Sequence, residues 1–500
     1  MSTIRRQSII SSFVVYIGFA LGFFNTYLLT RQGGFTKEEY GLIAVFVAVA
    51  QLMFAMSNVG MSAFLTKFYP YYKAHLPEKK NDQLTLALLL PCAGFLIVLL
   101  LGLLFKDIVA NKMFSNSPEL LHYYYWLFPF GFGFTIFMIL EAYAWQRGKA
   151  VLSNTLKEVA FRAFVTFLIL STTIGLIKNF NTFIGLYSFV YIILIFYLLF
   201  YFQRRRQLHF TFTISHVTRR FKKKIIALVG FVWSGGLIFS LASVVDTLII
   251  AAVLPNGVGA AAVFTFGQYI ASLIQAPQRA VISASVGPLS QAWKDKDFKK
   301  LNKIYHRSSI NQLLFSCAMF SLIWINFEDG IFTFHLQSEY LAAKWIFFYI
   351  GLTRILDMGT GVNAQIISTS SYWKYEFKTG LILLAITLPL NYFLTVKYGL
   401  IGPAIANLFS FTVYNAIRYF FLLKKFNMQP FDVKTLLALV LSGGCFLLAY
   451  FTLKEVTGLH WIIIRSLLFC VPFAIGMVGM KLSPDVIPVW LTLKKKLRLG

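Results

Sequence analysis

Arg162, Arg279 and Arg354 fall inside long apolar runs of this sequence, and Arg31 closes another. Glu158, Asp246 and Asp357 share the same surroundings. Ionised groups at such positions are costly in hydrocarbon, so they face a wet interior or one another and mark ligand or ion paths. A guanidinium there offers a fork of donors that fits phosphate or carboxylate oxygens.

Spacing narrows the roles of these residues. Arg354 and Asp357 lie three residues apart and share a helical face. Either Arg354 binds an anion while Asp357 orients it or takes a coupling cation, or the two form a structural pair between helices. Glu158 and Arg162 have the i,i+4 spacing of a pair, with Arg162 deep enough to reach a cavity, whereas Lys157 is expected to snorkel to the interface. Arg279 follows Pro277, which can free backbone groups and bend a helix, and is expected to face a cavity. Asp246 could sense protons, bind sodium or hydrogen-bond a neighbouring helix. Glu141 reads as an interfacial partner of Arg147 and Lys149, and snorkelling is the default for Arg418 and Arg465.

No catalytic residue, metal site or cofactor is expected, because no glycine-rich phosphate loop or paired metal-ligand motif occurs. Cys92, Cys317, Cys445 and Cys470 all lie in apolar segments and read as core filler.

The elements that must hold these charges are membrane helices. Of the 500 residues, 58% are hydrophobic and only 13% charged, with a mean hydropathy of +0.69. A soluble domain has about 45–50% apolar residues, so a bilayer is the solvent. Runs of membrane-spanning length centre near residues 18, 52, 95, 133, 165, 193, 237, 271, 317, 356, 387, 411, 442 and 471, about fourteen in all. The net charge of +27 lies in the loops rather than along one soluble face, which argues against nucleic acid. Of the 46 basic residues, 32 fall at the termini and in alternate loops, against 8 in the opposite loops. The positive-inside rule therefore puts both termini in the cytoplasm.

Two stretches repeat. Asn25-Thr26-Tyr27-Leu28 matches Asp246-Thr247-Leu248-Ile249, and Tyr40-Gly41-Leu42-Ile43 matches Ala261-Ala262-Val263-Phe264, both at an offset of 221 residues. An offset spanning an even number of helices gives like-oriented halves with a site at their interface. The expected architecture is an all-α polytopic membrane protein. It has a six-helix lobe over 1–206, a basic cytoplasmic linker over 207–224, a second six-helix lobe over 225–428, and two additional helices with a basic tail over 429–500.

Asn25 to Arg31 followed by Glu39-Tyr40-Gly41-Leu42, and Val245 to Ile249 with Pro277-Gln278-Arg279, resemble the polysaccharide export (Wzx-like) family of the multidrug/oligosaccharidyl-lipid/polysaccharide flippase superfamily. The resemblance covers nearly the whole chain. It implies a flippase, not an enzyme, that moves an undecaprenyl-pyrophosphate-linked oligosaccharide across a bacterial inner membrane by alternating access, for O-antigen, capsule or exopolysaccharide assembly. The cations Arg162, Arg279 and Arg354 would line the cavity, with Arg31 near its outer mouth, and Asp246, Asp357 and Glu158 would be coupling-ion or structural carboxylates. Its partners would be the lipid-linked substrate, the bilayer, a proton or sodium gradient and polysaccharide-assembly proteins. A murein-precursor flippase or a drug/cation antiporter of the same superfamily is the alternative, and a membrane glycosyltransferase or polymerase a remote one.

Overall fold

The computed structural model of the chain describes residues 3–109, 114–453 and 456–485. Lys112, Lys454, Lys494 to Lys496 and Arg498, together with the side chains of Arg5 and Arg6, lie outside the described residues. Among the described residues the protein is helical throughout, and 11 segments are long and apolar enough to cross a bilayer. It is a multi-pass membrane protein. The residue at each of the centres expected above is helical. Two of those segments fall short of spanning length for local reasons: the one around residue 165 is interrupted by a π turn, and the one around residue 356 has 17 residues.

By contacts the chain forms two compact units, Met1–Ala262 and Val263–Gly500. In the first, α1 (Thr3–Thr30) is followed by α2 (Lys37–Ser57), whose start is set by a capping box. There the Glu39 N–H donates to Thr36 Oγ1 and the Thr36 N–H to Glu39 Oε2. The span expected near residue 52 is this helix, which ends at Ser57. Val59 and Gly60 take positive φ values of 46° and 68°, and the chain restarts as α3 (Met61–His75). Glycine is required at position 60, because a Cβ there would lie 2.6 Å from the carbonyl oxygen of Val229.

Next come α4 (Gln83–Leu104), α5 (Leu127–Gln146), α6 (Phe161–Thr173), α7 (Val190–Arg204) and α8 (His216–Val253). The core of this unit is aromatic: Tyr187 stacks on Phe130 at 4.9 Å, and Tyr191 on Phe161 at 4.5 Å.

The 38-residue α8 is tied to the first unit at three depths. Asp82 accepts from the Ser215 N–H and the Thr218 hydroxyl at its start, and Trp233 donates to the Ala55 carbonyl at mid-length. At its end Ser117 donates to the Ala251 carbonyl, and Asn116 to those of Ala252 and Val253. Those last bonds satisfy carbonyls that a helix C-terminus leaves open. A tight turn follows, with Asn256 at φ 49°.

From α9 (Gly257–Ser272) the chain enters the second unit, and the expected break at Pro277 separates α9 from α10 (Gln278–Lys294). Then follow α11 (Phe298–Thr333), α12 (Ala343–Gly359), α13 (Trp373–Tyr398) and α14 (Gly402–Phe426). The last two helices, α15 (Val433–Thr452) and α16 (Leu459–Gly479), bury Ala438, Cys445, Phe469 and Phe473 against Leu313, Leu314 and Cys317 of α11. Of the four cysteines, all free, Cys317 and Cys445 are buried and Cys92 and Cys470 half-buried.

Candidate functional site

In the first unit the charges gather where α1 meets the fifth apolar segment. That segment is wound as a π turn over Thr155–Ala160 before it continues as α6. The π turn carries Lys157 and Glu158, and Arg162 follows it by two residues. Arg162 pairs with Glu158 at 3.2 Å, as the spacing implied, and its guanidinium lies 5.8 Å from the Phe19 ring. The Arg162 Nη1 is buried without a hydrogen-bond partner. Lys157 does not snorkel alone: it reaches the buried Glu141 at 3.0 Å. Glu141 is therefore not the partner of Arg147 or Lys149, and Arg147 pairs with Glu78 instead. A buried carboxylate without a counterion is expensive, and Lys157 is the nearer cation.

Opposite this turn, α1 presents Gly18 and Asn25. A Cβ on Gly18 would come within 2.8 Å of the Glu158 carbonyl oxygen and 3.0 Å of Arg162 Nη1, so the small residue allows the approach. Asn25, buried, donates to the Arg162 carbonyl at 2.9 Å and accepts from the Thr166 hydroxyl at 2.5 Å. Asp246, the repeat counterpart of Asn25, is also buried, in α8. Arg31 is half-buried just beyond the end of α1.

In the second unit Asp357 is the hub of a polar network. Its two oxygens accept from the Gln278 amide at 2.9 Å and the Asn415 amide at 3.2 Å. Asn415 in turn accepts from the Thr360 hydroxyl at 3.0 Å and the Asn363 amide at 3.1 Å. The bond from Gln278 draws the first turn of α10, which carries the exposed Arg279, to the face of α12 that carries half-buried Arg354. Arg162 thus lies in the first unit, and Arg279 and Arg354 in the second.

Two arginines expected to snorkel are buried and paired. Arg418 grips Glu376 with Nε–Oε2 at 2.9 Å, a second bond to Oε1, and its guanidinium 3.6 Å from the Tyr414 ring. Arg465 donates to the carbonyls of Ile325, Leu453 and Val456 and to Asn326, and pairs with Asp329 at 3.5 Å. The partners of Arg418 and Arg465 are 42 and 136 residues away in sequence, beyond the reach of local spacing. Among the described residues no cluster of His, Cys, Asp and Glu could hold a metal ion.

No family model and no curated protein matches the chain. Solved structures do share its fold. An inward closed lipid II flippase MurJ superposes with a TM-score of 0.73 at 18% identity, covering 94% of this chain and 98% of its own. An inward-facing multidrug resistance MATE transporter of the MOP superfamily gives 0.61 at 14% identity, covering 82% and 93%. A MATE transporter in complex with MaL6 gives 0.53 at 14%, covering 83% and 94%. The chain therefore shares its fold with this flippase and these transporters.

Proposed function

We infer that this protein is a flippase for a lipid-linked oligosaccharide, moving undecaprenyl-pyrophosphate-linked units across a bacterial inner membrane by alternating access. The observation that carries this reading is a set of arginines retained inside apolar helices on a fold shared with a lipid II flippase over nearly its full length. The pyrophosphate cannot enter hydrocarbon bare, and guanidinium groups in a wet passage supply its countercharge. Arg162, whose Nη1 has no protein acceptor, is the best-placed of them; Arg279, Arg354 and Arg31 complete the set. Coupling to a proton or sodium gradient would run through Asp246 or Asp357, and Glu158, paired with Arg162, would be a structural carboxylate. The lipid-linked substrate, the bilayer and polysaccharide-assembly proteins are the partners.

Changing Arg162, Arg279, Arg354 and Arg31 singly to Ala should abolish surface polysaccharide at unchanged protein level. Normal polysaccharide in all four variants would sink the reading. The likeness to MurJ favours a murein precursor as the second substrate. Flipping of lipid II, and not of the oligosaccharide lipid, by purified protein in vesicles would establish that alternative.

A further inference from the structure

A cleft of about 570 Å³ opens between α3 and the first turns of α8. Lys67, Phe68 and Tyr71 form one wall, and Phe221, Lys224, Ala227, Leu228 and Phe231 the other. Each wall is a single helical face, since Lys224, Leu228 and Phe231 follow at i, i+4 and i+7.

The two helices run antiparallel in one register. Trp233 bonds the Met56 carbonyl, Gly60 abuts Val229, and Phe68 packs 5.8 Å from Phe221. This register puts Lys67 and Lys224 at nearly one level, within about 3 Å along the axis, and Phe231 about 10 Å further from the basic end. Phe221 braces the entrance, with Tyr71 at 5.0 Å and Lys224 Nζ 5.8 Å from its ring. Beyond the lysines only Ala227, Leu228 and the exposed Phe231 continue the wall. No acidic residue lines the cleft, and Arg219, Arg220, Lys222 and Lys223 add positive charge around it.

We propose that this cleft binds an anionic phospholipid of the surrounding bilayer, with the phosphate between Lys67 and Lys224 and an acyl chain along Ala227, Leu228 and Phe231. The occupant must be amphipathic, because two cations sit at one end of an apolar wall. Basic pockets between membrane helices on the cytoplasmic side take anionic headgroups in this way. A soluble phosphate compound would leave the apolar half of the cleft exposed.

The test is native mass spectrometry of the purified full chain with phosphatidylglycerol or phosphatidylcholine of identical chains. Wild type should retain phosphatidylglycerol about tenfold more tightly. Lys67→Gln/Lys224→Gln should lose that preference. Lys222→Gln/Lys223→Gln removes equal charge outside the cleft and should keep it. Leu228→Trp, which fills the cleft with both lysines intact, should also lower retention. Equal binding of the two lipids by wild type overturns the proposal whatever the variants do. Equal loss in both lysine pairs overturns it in favour of general surface charge, and displacement of the lipid by inorganic phosphate overturns it in favour of a soluble phosphate ligand.

Discussion

Arg418 gives the sharpest test of how this chain carries charge inside its second unit. In Arg418→Met the aliphatic volume stays, but Glu376 loses its bidentate partner and keeps only the Tyr414 hydroxyl, at 3.2 Å. Breaking a buried ion pair from one side costs about 3–5 kcal/mol, because the remaining charge is uncompensated. Glu376 retains that one donor and its side chain is 21% exposed, so the low end, about 3 kcal/mol, is expected. That is a shift of about 150-fold in the folding equilibrium. A solvated arginine at a membrane face would lose less than about 1 kcal/mol. Arg418→Met/Glu376→Gln removes the stranded charge and should recover to within about 1–2 kcal/mol of wild type. Reversible unfolding in mixed micelles, followed by tryptophan fluorescence, measures all three proteins. The reasoning fails if the single variant unfolds with the wild type, or if the double variant is no better than the single.

Two further outcomes follow from close contacts in the first unit. Gly18→Val should separate α1 from the π turn and destabilise the protein by about 1–3 kcal/mol, since its Cβ meets backbone at 2.8 Å; an unchanged midpoint in the same unfolding assay would contradict that packing. Asp82→Ala removes the acceptor for the Ser215 N–H and the Thr218 hydroxyl, so trypsin should cut between Gln203 and Lys224 at least about fivefold faster. Unaltered cleavage would mean that the linker is held elsewhere.

The helices were legible because hydropathy acts along the chain, and the break at Pro277 carries its own residue signal. The Glu158–Arg162 pair was legible for the same reason, both partners lying on one helix. What escaped was contact across helices. Nothing local to Arg418 or Arg465 announces Glu376 or Asp329, so each arginine alone reads as a snorkelling cation. The break at Val59-Gly60 depends on the approach of Val229, some 170 residues on. The Asp357 network was half visible: the carboxylate stood out, while Gln278 and Asn415 are neutral amides that no charge pattern marks.

The π winding at Thr155–Ala160 stores slack, since it holds one residue more than an α-helix would over the same number of turns. Taking up that residue would swing one side of the segment by about 100° about its axis. Lys157 would swing away from Glu141, while Glu158 and Arg162, four residues apart on one helix, would keep a shared face. The countercharge of Glu141 is thus tied to helical phase, and a slip of one residue here would strip a buried carboxylate of its cation.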